Sequence, residues 1–160
     1  MSVDGLRVEL VALLPRLRRF ARALARNAAD ADDLVQTAVE RALARSGQLR
    51  ADAPIAAWLF GILRNAWIDE QRVRARRVRM QAPAEALQEV ADTRSAPAES
   101  LAVEDAVARL PEEQRLAVAL VMVEGLSYKE AAHVMEVPIG TLTSRLARAR
   151  ETLQAILGEP

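Results

Sequence analysis

Residues Gly125–Arg150 read GLSYKEAAHVMEVPIGTLTSRLARAR, and this stretch decides the fold. Ser127-Tyr128-Lys129-Glu130 has the spacing of a capping box, in which a Ser hydroxyl and a Glu carboxylate satisfy each other's backbone N–H groups at a helix start. Glu136-Val137-Pro138 stops that helix and sets a turn, since proline lacks an N–H and disfavours helical geometry in the residue before it. Leu142, Leu146, Ala149 and Leu153 then recur at helical spacing and turn one face of a second helix inward. Thr141, Ser144, Arg145 and Arg148 share the outward side, and Ala132 is small where the two helices must cross closely. A capped helical hairpin with a solvated charged face is the plain alternative. The coincidence of capping box, small residue, proline turn and clean polar face favours a helix-turn-helix, whose second helix lies in the DNA major groove.

Composition extends this to an all-α chain. The 160 residues suffice for one ordinary domain or two small ones. Apolar residues make up 51% of the chain but aromatics only 3%, and the charged residues are mostly Arg, Asp and Glu. Chains rich in Ala, Leu, Arg and Glu favour helix. The absence of cysteine excludes disulfides and thiolate metal sites. A single His133 builds neither a metal cluster nor a catalytic triad, and no nucleophile–base pair or phosphate-binding loop is visible. The expectation is therefore a non-enzyme with no cofactor and no metal. No apolar run reaches the ~20 residues of a membrane span, and the N-terminus lacks a basic-then-apolar signal, so a cytoplasmic location is expected.

The formal net charge of zero hides an uneven distribution. Residues 1–80 hold 15 basic and 9 acidic residues, residues 81–110 hold 2 and 6, and residues 111–160 hold 5 and 7. It is local surfaces, not totals, that meet phosphates.

Along the chain, Leu6, Leu10, Leu13, Leu14, Leu17, Phe20 and Leu24 mark a first helix, which Pro15 is expected to kink or divide in two. Asp30 or Asp32 is expected to cap the next helix, whose apolar side runs from Leu34 to Leu43 and which ends at Ser46-Gly47. Gln48–Ala53 reads as a polar loop. Pro54 opens a third helix with an apolar face from Ile55 to Ile68, including Trp58 and Trp67, running out into Arg72, Arg74, Arg76, Arg77 and Arg79. Met80–Ala98 loses periodicity and reads as a linker. Periodicity returns over Glu99–Arg109. Pro111 opens a further helix lined by Leu116, Ala117, Leu120, Val121 and Val123, which Gly125 closes.

The segment LPEEQRLAVALVMVEGLSYKEAAHVMEVPIGTLTSRLARAR resembles region 4 of bacterial extracytoplasmic-function sigma factors. Asp30-Ala31-Asp32-Asp33-Leu34-Val35-Gln36 resembles the acidic part of region 2 that grips core RNA polymerase. Trp58–Asn65 with Ile68-Asp69 resembles the helix that melts promoters. The resemblance implies two small helical domains joined by a flexible linker: a three-helix region 2 at 1–79, a linker at 80–98 and a helix-turn-helix region 4 at 99–160. It implies polymerase contacts at Asp33, Leu34 and Gln36. At the −10 element it implies Arg64, Asn65, Arg72, Arg74, Arg76 and Arg77, with residues 48–53 forming a base pocket. At the −35 element it implies Thr141, Thr143, Ser144, Arg145 and Arg148. Core polymerase, promoter DNA and an anti-sigma factor are the implied partners, and use under stress is the implied context.

The chain departs from the family pattern at several places. Thr37 and Val39 stand where an acid and a Phe are frequent, Ala131 where a larger aliphatic is usual, Thr143 where a basic residue is common and Ala147 where an aromatic can occur. Two other readings compete. A sigma-like adaptor would sequester an anti-sigma factor without binding DNA, but such proteins usually carry a receiver domain. A simple helix-turn-helix repressor leaves Asp30–Gln36 unexplained.

Overall fold

The structure, a computed structural model, describes residues 2–50, 52, 54–80 and 98–158. The chain falls into two compact units, Met1–Asp92 and Thr93–Pro160, and the described residues contain helices and no strand. The expected linker lies outside the described residues except at its ends, where Met80 and Ala98 are helical.

The first unit is a three-helix domain: α1 (Val3–Ala25), α2 (Ala28–Ala44), a single 3-10 turn at Ser46–Gln48, and α3 (Ile55–Met80). Helix α1 runs unbroken through Pro15 and is not divided in two. Proline removes only the N–H that would reach the Val11 carbonyl, and Val11 is 68% exposed, so water can take that acceptor. The cap of α2 is Asn27, not Asp30 or Asp32. Asn27 has the extended backbone a cap requires, and its side-chain oxygen accepts from the Asp30 N–H at 2.9 Å. Asp30 sits at the third helical position and accepts from the Asn27 amide at 2.9 Å, so the two side chains hold each other.

Burial follows the apolar periodicity. Leu6, Leu17, Phe20 and Leu24 of α1 meet Ala38 and Ala42 of α2 and Leu59, Phe60 and Leu63 of α3 in one core. The Phe20 and Phe60 rings stand edge to face, 5.2 Å apart at 74°, a geometry that adds about 0.5–1.5 kcal/mol to simple burial. The Arg16 guanidinium lies 5.5 Å over the Phe60 ring. Leu49 departs from the polar-loop expectation, because it is buried and pins the turn after α2 to the core.

The second unit contains α4 (Ala98–Ala108), α5 (Glu112–Val118), α6 (Tyr128–Met135) and α7 (Ile139–Leu157), with α4, α5 and α6 each packed on α7. Arg115 is buried and donates to the Leu110 carbonyl at 3.1 Å, fastening the turn between α4 and α5. Helix α5 continues as a π-helical turn over Ala119–Val123, where the Glu124 N–H reaches back five residues to Ala119 at 2.9 Å. That widened register explains why Val123, expected to line the core, is 51% exposed. Gly125, at φ 75°, ends the segment as expected, and the Leu126 N–H returns to the Leu120 carbonyl. The capping box is present: Glu130 N–H donates to Ser127 Oγ at 3.0 Å, and Ser127 N–H donates to Glu130 Oε1 at 2.9 Å.

These contacts set two stability expectations. Phe60→Ala lowers the stability of the first unit by about 3–5 kcal/mol, and Ser127→Ala lowers that of the second by about 1 kcal/mol. Denaturant unfolding followed by hydrogen exchange checks both, because exchange assigns each loss to its own unit; a loss in the wrong unit contradicts the packing described.

Candidate nucleic-acid interface

Helix α7 is oriented by its buried side. Leu142, Leu146 and Ala149 are all at most 3% exposed, so Ser144, Ala147 and Arg148 project from the middle of the opposite, solvent-facing side. Thr141 and Arg145 are half-buried on one shoulder of that face, and Thr143 stands exposed on the other. The Thr143 hydroxyl donates to the Ile139 carbonyl at 2.9 Å, which leaves its methyl and its oxygen lone pairs for an outside partner. The turn before α7 depends on Glu136, which adopts the left-handed conformation at φ 57°, while the Val137 N–H closes on the Ala132 carbonyl at 3.0 Å. Ala131 and Ala132 are buried where α6 packs, and His133 is exposed. The structure thus brings all five residues expected at the −35 element onto one helix, spread across its outward half.

In the first unit the expected residues separate by burial. Asp33 and Gln36 are exposed one turn apart on α2, but Leu34 between them is 5% exposed and belongs to the core. Asp33 borders a cleft of about 220 Å³ between α2 and α3, and Gln36 borders a second groove, lined also by Leu14 of α1. On α3, Asn65 is exposed and Arg64 half-buried, while Arg72, Arg76 and Arg77 are exposed. Trp67 is buried in the core, whereas Trp58 is half-buried.

Arg74 stands apart from the other arginines. Its guanidinium donates to Asp30 Oδ2 at 2.8 Å and to Glu70 Oε1 at 3.3 Å. A second pair, Arg41 with Asp69 at 2.9 Å, crosses the same cleft. The Asp30 carboxyl is held below the usual carboxylate range, chiefly by the hydrogen bond from Arg74 and then by that from Asn27, against the opposing effect of burial. The Arg74 guanidinium is shifted upward, chiefly by its hydrogen bond to Asp30. The partners of Asp69 and Glu70 are not legible in the sequence. Neither is the Asn27 cap singled out there, for which the Asn followed three residues later by an acid was the available signal.

Among the described residues, no helix is long and apolar enough to cross a membrane, and no cluster of metal-ligating side chains occurs.

Two family descriptions match the chain: "Sigma-70, region 4" over residues 100–153 and "Sigma2 domain of PhyR" over residues 10–64. The chain is 39% identical to the ECF RNA polymerase sigma factor EcfG of Rhodopseudomonas palustris, over 96% of this chain and 86% of that protein. It is 40% identical to the ECF RNA polymerase sigma factor SigM of Mycobacterium tuberculosis, over 89% of this chain and 72% of that protein. Among solved structures, the sigma factor RpoE from Bartonella quintana, in complex with the anti-sigma factor NepR, superimposes with a TM-score of 0.87 at 33% identity, over 98% of both chains.

A carboxylate whose pKa is lowered on folding stabilises the fold above its unfolded pKa and loses that contribution as pH falls through the lowered value. Asp30→Asn therefore destabilises the first unit by about 0.5–1 kcal/mol at neutral pH, and the difference from wild type shrinks below about pH 4. Thermal melts across pH 2.5–7 check this; a difference that grows on acidification contradicts it.

Proposed function

The chain belongs to the ECF family of RNA polymerase sigma factors, and on that premise we propose that it binds core RNA polymerase through α2 and directs it to promoters through α3 and α7. The carrying observation is the pairing of an exposed acidic ridge and a basic helix end in one unit with an outward polar helix-turn-helix face in the other. Asp33 and Gln36 supply the polymerase-facing ridge, with Leu34 supporting it from the core. Arg64, Asn65, Arg72, Arg76 and Arg77 address the −10 element, where extruding a base costs a few kcal/mol and needs a pocket together with phosphate contacts. Residues 48–53 are the proposed pocket wall. Thr141, Thr143, Ser144, Arg145 and Arg148 address the −35 element.

Control by an anti-sigma factor is part of the proposal, supported by the similarity to RpoE, which was solved bound to NepR. Release under stress is the context the family implies. The match of residues 10–64 to the sigma2 domain of PhyR keeps the adaptor as the second reading. The two differ in one observable: an adaptor binds an anti-sigma factor but yields no transcript with core polymerase.

Run-off transcription with core polymerase on a promoter library tests the proposal, and the expected result is a restricted set of start sites. Absence of any promoter-specific product rejects the sigma-factor reading. In the same assay Arg148→Ala, at the centre of the outward face, weakens −35 recognition by about 1–3 kcal/mol and relaxes preference at one base pair. Arg145→Ala, on the shoulder, weakens binding evenly across sequences and lowers the salt slope by about one. The opposite assignment of the two effects contradicts the orientation of α7 proposed for DNA.

A further inference from the structure

Helix α3 changes character at Trp67, its last buried residue. Residues 68–80 extend about 20 Å further at the helical rise, and Val73 is only half-buried there. The extension carries Arg72, Arg76 and Arg77, so its direction decides where these charges meet a nucleic acid. What ties it to the rest of the unit is polar. Arg74 reaches Asp30 of α2, 44 residues away in sequence, at 2.8 Å, and Arg41 of α2 holds Asp69 at 2.9 Å. Asp30 is itself fixed by the Asn27 cap, and Glu70 on the preceding turn accepts from Nε of the same guanidinium, beside the Nη2 that Asp30 holds.

We propose that Arg74 is a positioning residue, not a phosphate ligand: locked between Asp30 and Glu70, it aims the basic end of α3. The inference rests on the promoter-binding reading above and removes Arg74 from the −10 set that the family resemblance implies. A planar guanidinium with Nη2 on Asp30 and Nε on Glu70 is pre-organised for a fixed direction, and a phosphate approaching its remaining donors would meet a charge already balanced by two carboxylates. The neighbouring Arg72, Arg76, Arg77 and Arg79 are exposed and reach outward from the axis that Arg74 holds. The network also joins the acidic start of α2 to the basic end of α3, so the two proposed contact surfaces of this unit share one mechanical reference.

Removing Asp30 separates the two roles by sign. If Arg74 were a phosphate ligand restrained by Asp30, Asp30→Asn would release it, strengthening promoter binding and steepening its salt dependence. A positioning role predicts the reverse: Asp30→Asn and Arg74→Ala each weaken binding several-fold, and the double variant is no weaker than the worse single one. The measurement is binding of the polymerase holoenzyme to fluorescent promoter DNA over a range of salt concentrations. Arg76→Ala serves as the phosphate-contact reference and lowers the slope by about 0.7–0.9; Asp30→Asn, which removes no cation, also lowers it, because it misdirects the same arginines, and Arg74→Ala lowers it by a similar amount. Arg74→Lys, which keeps the charge but loses the fork, behaves like Arg74→Ala in affinity; melting curves establish that each variant is folded. An unchanged or steeper slope for Asp30→Asn, full binding by Arg74→Lys, or tighter binding by Asp30→Asn overturns the proposal. Failure of the wild-type holoenzyme to bind any promoter rejects the broader function instead.

Discussion

Both units are closed by alanine at the places where helices meet. Ala21, Ala38, Ala42 and Ala66 are buried in the first, and Ala106, Ala117, Ala131, Ala132 and Ala149 in the second. A chain with 3% aromatic residues and no cysteine cannot rely on large rings or crosslinks to define its core. Small side chains let helix axes approach toward the short end of the usual 8–10 Å range, and leucines then fill the spaces beside each crossing. In the first unit the ring pair of Phe20 on Phe60 lies in this core. The consequence for function is that each interior is small. Long polar side chains therefore collect on the outer faces of α2, α3 and α7, where the proposed polar contacts of those helices lie.

Helix α3 shows how one element serves two solvents. Its first half is apolar enough to be the third wall of the core, with Leu59, Phe60 and Leu63 almost fully buried. Its second half has no comparable stripe and is rich in arginine. Like charges on adjacent turns repel and would favour fraying, and the carboxylates of Asp30, Asp69 and Glu70 lie where they offset that repulsion. Isolated surface pairs contribute little. Here Arg74 joins two helices and two carboxylates, so the pairing acts on direction more than on stability.

The helix-turn-helix was legible in sequence because its determinants are local. A capping box spans four residues, a left-handed glycine follows the helix it ends, and an inward leucine stripe repeats within one helix. Residues 127–130, Gly125 and Leu142–Leu146 accordingly sit as read. The assignment of fold class was equally accessible from composition. What escaped depends on competition or distance. Asn27, Asp30 and Asp32 are all chemically able to cap α2, and the backbone of Asn27 decided between them. The π-helical turn at Ala119–Val123 leaves no mark in an apolar run that satisfies either register. Arg74 looked like its neighbours because its partner lies 44 residues away. Leu49 reads as loop because one apolar residue among polar ones carries no period, yet the turn after α2 carries it back to the core.

The positions at which the chain departs from its family gain a physical reading from α7. Thr143 and Ala147 stand beside Ser144 and Arg148 on the exposed side of the helix, and both are short. With the Thr143 hydroxyl already donating to Ile139, that side of the face offers methyl groups and lone pairs where a basic or aromatic side chain would offer reach and charge. Methyl groups discriminate by contact with apolar base substituents, and lone pairs by contact with base amino groups; neither holds phosphate. On the proposed reading, the cations that α7 offers DNA are Arg145 and Arg148, in a region that is net acidic over residues 111–160. The denser arginine cluster lies in the first unit, at the end of α3. On that reading a promoter factor built this way is expected to draw most of its salt-dependent affinity from the −10 side and to use α7 for selection, which would make the aim of the α3 extension the more consequential of its two proposed surfaces.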